Sequence, residues 1–277
     1  MRMRGDRFNA NLSRISLSEI QKFFELAQKT ANVISFGIGE PDFDTPQVIK
    51  TAACTAMEQG YTHYTPNMGY PDLRQAIADK MRQENGVDVG AENVMVTVGA
   101  CQAVHSCLNA ILNPGDEVVV FEPAFSVYSA VTLMAGADSV PCRLRQENGF
   151  HVDAEDLHNA ITPATKAIIL NTPHNPTGVV FTEEDLKCVA ECADKHGLWV
   201  IADEIYDGII YDGGKHISFA SLPGMAERTI TIGGFSKRFA MTGWRLGYVV
   251  AHEELLAQAV KVHQNCVACA TSISQKA

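Results

Sequence analysis

Three polar segments stand out in a chain otherwise built of short apolar runs. They are Asn171-Thr172-Pro173-His174-Asn175-Pro176-Thr177-Gly178, then Ala202-Asp203-Glu204-Ile205-Tyr206, then Phe235-Ser236-Lys237 running on to Gly243-Trp244-Arg245-Leu246-Gly247. The last has the long and specific spacing S-K-x5-G-W-R-x-G. Lys237 offers an amine that partial burial can bring toward neutrality, which suits nucleophilic and proton-carrying work. Arg245 offers a planar cationic fork for anionic oxygens. Asp203 offers a carboxylate that can stabilise a cationic partner when buried beside one. A fourth feature, Gly99-Ala100-Cys101, turns into a helix, where backbone N–H groups and the positive helix end make a ready anion site.

These residues need a scaffold that brings them to one place, and the apolar runs provide it. Strand-like runs cover 94–98, 117–121, 166–170, 199–202, 229–232 and 246–250. Helical stretches cover about 101–112, 126–135 and 182–195, with a further helix from Glu253. Thr182 followed by Glu183, Glu184 and Asp185 reads as a cap with acids at the positive helix end, and Gly197 as the stop. Short apolar strands alternating with helices predict an α/β fold of three layers, α/β/α, around a mostly parallel sheet. In such folds, residues just beyond the carboxyl ends of the strands converge on one crevice, the usual ligand site. Residues 36–46 are rich in Gly and Pro and read as an irregular loop.

Composition removes other classes of function. With 46% apolar and 19% charged residues the chain is not of disordered type. The net charge of −10, with no basic block, argues against nucleic acid. The longest uncharged stretch, 93–115, is interrupted by Gly99, Gln102, His105, Asn109 and Pro114, so no membrane span is expected. The opening MRMRGDRFNA lacks an apolar core, so no signal peptide is expected and a cytoplasmic location is. Gly37-Ile38-Gly39 lacks the third glycine of a dinucleotide loop. His252-Glu253-Glu254-Leu255-Leu256 lacks the second His of a zinc protease, and no G-x-S-x-G elbow occurs. Gly233-Gly234-Phe235-Ser236-Lys237 has the wrong order for a phosphate loop. The eight cysteines, Cys266-x-x-Cys269 included, read as reduced packing thiols, and no metal site is expected.

The ordered set Asn175, Asp203, Tyr206, Ser236, Lys237 and Arg245 closely resembles the class I/II aminotransferases, fold-type I enzymes dependent on pyridoxal 5′-phosphate (PLP). Tyr61-Thr62-His63-Tyr64-Thr65-Pro66, Gly69 and Pro71-Asp72-Leu73-Arg74 add to the likeness, and place it in the aspartate/aromatic branch. The similarity runs from about Ile34 to the last residue. It implies a PLP-binding large domain over 46–277 and, over 1–45, an N-terminal arm with part of an incomplete small domain. It implies a ping-pong transfer of an α-amino group between an amino acid and a 2-oxo acid.

By that resemblance Lys237 is the Schiff-base lysine and proton shuttle, and Asp203 pairs with the pyridine nitrogen. Tyr206 and Asn175 reach the phenolic oxygen of PLP. Arg245, Ser236 and the Gly99-Ala100-Cys101 turn hold its phosphate; the family often has a hydroxyl residue in that turn, so here backbone amides carry more of the contact. Phe125 stacks on the ring, and Gly39 and Asn175 meet the substrate. Tyr64 reaches the phosphate in a neighbouring subunit, which implies a homodimer with shared active sites. His174 receives no role.

The family also continues into a C-terminal small domain whose arginine binds the substrate α-carboxylate, and no arginine of this chain falls in that motif. Two alternatives therefore stand beside transamination. One is a PLP-dependent C–S β-lyase, which uses the same electron sink. The other is a PLP-binding protein with little or no turnover.

Overall fold

The structure is a computed structural model and describes residues 9–16, 26–27, 29–30, 32–34, 37 and 39–277. Much of the arm predicted over 1–45, with Phe36 and Ile38 of the irregular loop, lies outside the described residues. Residues 39–46 carry neither helix nor strand.

A seven-stranded sheet organises the described chain: β1 (Val94–Thr97), β2 (Glu117–Glu122), β3 (Asp138–Arg143), β4 (Thr165–Asn171), β5 (Trp199–Asp203), β6 (Thr229–Gly234) and β7 (Gly247–Val250). The order across the sheet is β1-β7-β6-β5-β4-β2-β3. Every neighbouring pair is parallel except the two made by β7, which runs against both β1 and β6. Only a short 3-10 turn, Thr242–Trp244, separates β6 from β7, and such a return without a crossover helix leads to an antiparallel partner. The expectation of a mostly parallel sheet holds.

Eight α-helices with both ends among the described residues surround it: α1 (Gln47–Glu58), α2 (Pro71–Asn85), α3 (Gly99–Ile111), α4 (Val127–Met134), α5 (Ala154–Ala160), α6 (Glu183–His196), α7 (Glu253–Val267) and α8 (Ser272–Lys276). Side chains of a strand alternate between faces, and both faces here are buried. Val118 and Val120 join Val104, Leu108, Val131 and Leu256 of α3, α4 and α7 on one side. Val119 and Phe121 join Leu157, Leu186 and Val189 of α5 and α6 on the other. Helix α2 lays Ile77, Ala78 and Met81 over Val94, Val96, Tyr248 and Val250 at the β1–β7 end. These are the three expected layers.

Local signals behave as their chemistry dictates. Thr182 Oγ1 accepts from the Asp185 amide at 3.2 Å, the Thr182 amide donates to Asp185 Oδ2 at 2.8 Å, and α6 ends at Gly197 with φ +64°. The chain does not trail off after α7. Gln275, 6% exposed, accepts from the Tyr70 amide at 2.8 Å and donates to Thr65 Oγ1 at 3.1 Å, tying α8 to residues 65–70. The eight cysteines are all free, but the reading of them as packing thiols needs correction at Cys54 and Cys101, which are exposed, and at Cys266 and Cys269. Cys266 is exposed, and Cys269 lies past the end of α7, where its Sγ accepts from the Thr65 amide at 3.4 Å.

Candidate active site

The carboxyl ends of β1, β2, β4, β5 and β6 lie along one edge of the sheet, because these strands are parallel. The antiparallel β7 brings its beginning to that same edge. This is how Arg245, which precedes β7, comes to stand beside Lys237, which follows β6. A cavity of about 630 Å³ opens there, lined among others by Gly39, Ala100, Cys101, Phe125, Asn175, Asp203, Tyr206, Ser236, Lys237 and Arg245. Ten of the residues predicted from sequence thus meet in one space.

Asp203 ends β5 and is only 4% exposed. Tyr128 Oη donates to its Oδ2 at 2.7 Å and the Ile205 amide to its Oδ1 at 3.2 Å. Burial pushes the carboxyl up to about 6, against the downward pull of these two donors. A carboxylate held there gains from a cationic partner. Behind it, Asn171 Nδ2 donates to the Asp203 carbonyl at 2.9 Å, while Asn171 Oδ1 accepts from the Asn175 amide at 2.7 Å. That pair fixes the β4 loop against β5.

Lys237 is half-buried, and its Nζ donates to the Gly39 carbonyl. The ammonium lies 5.6 Å from the centroid of the Tyr206 ring. Burial lowers its pKa, with Arg245 adding to that, while Glu40, Cys101 and Asp203 oppose it. Burial raises the Tyr206 phenol, and Asp203 adds to that; a hydrogen bond with the Asn175 side chain pulls the other way. Phe125 meets Tyr128 edge-on, with ring centroids 5.7 Å apart.

The anion corner rests on close backbone approach. Gly99, at φ +75°, opens α3, and a Cβ there would come within 2.7 Å of Arg245 Nη2. A Cβ on Gly247 would come within 2.8 Å of the Gly99 carbonyl carbon and 2.9 Å of the Ala100 nitrogen. Two glycines therefore let the guanidinium and the first amides of α3 share one small space, where helix polarity favours an anion. Arg245 itself has φ +53° and donates to the Thr242 carbonyl at 2.9 Å.

Tyr64 stands apart. It is 88% exposed and absent from the cavity lining, so within one chain it does not reach the site. His174, given no role, is buried against Phe181 with ring centroids 5.8 Å apart, and burial lowers its pKa to about 4. The sequence reading missed Tyr128, Glu40 and Thr242, and gave Asn171, which heads the first polar segment, no role. Tyr128 carried a signal, since its three-residue spacing from Phe125 at a helix start puts both rings on one side.

The residues fit PLP on the structure's own terms: a buried carboxylate suited to a cationic ring nitrogen, an amine with lowered pKa, and an anion corner only glycines permit. Comparison with known proteins agrees. The family profile described as "Aminotransferase class I and II" matches residues 31–277. An aspartate aminotransferase of Pyrococcus abyssi is 46% identical over 96% of this chain and 69% of its own length. An aromatic-amino-acid aminotransferase of Thermococcus litoralis is 43% identical over the same shares. The solved aspartate aminotransferase of Thermus thermophilus with maleate is 38% identical over 99% of this chain and 72% of that one, with a TM-score of 0.93. The chain belongs to the class I and II aminotransferases, PLP-dependent enzymes that move amino groups between amino acids and 2-oxo acids.

Proposed function

We propose that the cavity is the transamination site and that Lys237 is its cofactor-bearing amine. The observation that carries this is the convergence of Lys237, Asp203 and Arg245, from β6, β5 and the start of β7, on one cavity. The cofactor, when bound, supplies an electron sink for the substrate's Cα electrons and a temporary carrier for its amino group.

This chain's residues do the rest. Asp203, buried and oriented by Tyr128, holds a proton on the ring nitrogen. Tyr206 and Asn175 would donate hydrogen bonds to the phenolic oxygen, and Phe125 would cover the ring. Arg245, Ser236 and the amides of Gly99, Ala100 and Cys101 would bind the phosphate. Lys237, its pKa lowered by burial, takes and returns a proton at Nζ as the amino group is transferred. The Gly39 amide and Asn175 orient the substrate carboxylate.

Residues 46–277 form the cofactor-binding domain in this reading, and residues 1–45 belong to a second, smaller one. The exposure of Tyr64 supports a homodimer in which that side chain serves the neighbouring site. A cytoplasmic location goes with the same reading.

The test uses the full chain with added PLP. A visible chromophore that borohydride fixes onto the Lys237 peptide is the expected result. Label on another peptide, or no chromophore, overturns it.

A further inference from the structure

Tyr206 and Lys237 are each followed by a charged residue that turns away from the cavity. Asp207 accepts a hydrogen bond from Lys80 Nζ. Arg238 donates from Nη1 to Glu84 Oε2 at 2.6 Å and from Nη2 to Glu84 Oε1 at 3.2 Å, a two-bond fork. Arg238 Nη1 is also 3.9 Å from Asp207 Oδ2, which bridges the two turns. Lys80 and Glu84 are one turn apart on α2, so a single rigid helix holds both ends.

The cluster has two positive and two negative groups and is buried at one end: the Arg238 and Glu84 side chains are 32% and 47% exposed, so their fork lies at the surface. Asp207 and Lys80 side chains are 12% and 21% exposed. The Arg238 stem lies across Gly208, where a Cβ would meet its Cγ at 2.8 Å. Leu73, Ile77, Phe235, Phe239 and Tyr248 line the adjoining small cavity, an apolar lining that reduces screening of the charges.

We propose that Arg238, through its fork to Glu84 and its approach to Asp207, is a positioning residue that fixes Lys237 relative to Tyr206. The inference rests on Lys237 being the cofactor-bearing amine. Lys237 and Arg238 are neighbours in one turn after β6, and Tyr206 and Asp207 in one turn after β5. Anchoring the outward-facing member of each pair to α2 restrains the inward-facing member. Burial, then Glu40, Cys101, Arg245 and Asp203, set the proton affinity of Lys237, and its ammonium lies 5.6 Å from the centroid of the Tyr206 ring. Each of these groups acts over a distance that a loosened turn would change.

The test is the pH midpoint of the cofactor absorbance in the PLP-loaded full chain, for Arg238→Ala, Glu84→Ala and the double variant, with Tm alongside. The quartet is neutral, so removing a cation or an anion as a bare charge would move the midpoint in opposite directions. Positioning predicts the same direction for both single variants, by about half a pH unit or more, and no further change in the double variant. It also predicts a kcat loss of about tenfold with a smaller change in KM. Unmoved midpoints, or opposite shifts that cancel in the double variant, overturn the proposal. If Arg238→Ala does not fold, Arg238→Lys takes its place: it keeps the positive charge and loses the two-bond fork, so positioning predicts the shift and a bare charge effect predicts none. A wild-type chain without the chromophore overturns the lysine assignment instead, so the two failures are distinct.

Discussion

Asp203 shows how one side chain is prepared for a ligand at the expense of the empty fold. Burial lifts its carboxyl to about 6, above its ordinary value of 3.8. Between about pH 4 and 6 the folded chain thus holds more protons than the unfolded one, and the stability of the cofactor-free protein falls as pH rises through that window. The cost at neutral pH is at most about 3 kcal/mol. Asp203→Asn is therefore expected to raise the cofactor-free Tm at pH 7 while lowering kcat/KM about a hundredfold or more, read by thermal melts and steady-state kinetics. A lower cofactor-free Tm would contradict the burial argument. Tyr128→Phe removes a donor that favours the ionised carboxylate, so the Asp203 midpoint should move further up, by about 1 in pH, in an NMR titration of the cofactor-free chain.

At the scale of elements, the proposed phosphate corner depends on how closely α3 approaches the start of β7. Gly99→Ala would drive a methyl group toward Arg245 Nη2 at a backbone φ of +75°. The expected result is a folded protein whose PLP dissociation constant rises about tenfold or more, since loss of one charge-assisted contact is of that order. Gly247→Ala differs in kind, because its methyl group would meet backbone atoms of Gly99 and Ala100 at 2.8–3.0 Å, which cannot rotate away. It should lower Tm before any effect on cofactor is measurable. Thr182→Ala, at the cap of α6 on the sheet's other face, is the control: a loss of about 1 kcal/mol in denaturant melts, with cofactor affinity unchanged.

The whole molecule adds the question of the second subunit. Tyr64 is exposed and outside its own chain's cavity, so a role at the phosphate requires a partner. Mixing Lys237→Ala with Tyr64→Ala chains tests this directly. In a hybrid dimer one site carries both substitutions and the other carries neither. Random mixing should then regain about a quarter of wild-type activity above the two parents. No gain on mixing would remove Tyr64 from the site.

Much of the site could be read in the sequence because cofactor chemistry uses particular residue types at fixed intervals. The S-K-x5-G-W-R-x-G stretch, Asp203 with Tyr206, and the β2, β4, β5 and β6 strands all belong to that legible part. Helices α1 and α2 were not recognised as elements, because each buries only two or three residues and their apolar stripes are narrow: Ala53 and Ala56 in α1, Ile77, Ala78 and Met81 in α2. The direction of β7 was equally hidden, since a strand buried on both faces reads the same whichever way it runs. Residue types and local spacing, then, are what the sequence alone determined: an α/β chain with an amine, a carboxylate and a guanidinium at strand ends. Only the tertiary structure decided that β7 runs backward and sets Arg245 beside Lys237, that Tyr128 reaches across 75 residues to Asp203, and that Lys80 and Glu84 of α2 hold the turns behind Tyr206 and Lys237. Those contacts come from packing between distant segments, which leaves no short-range pattern to read.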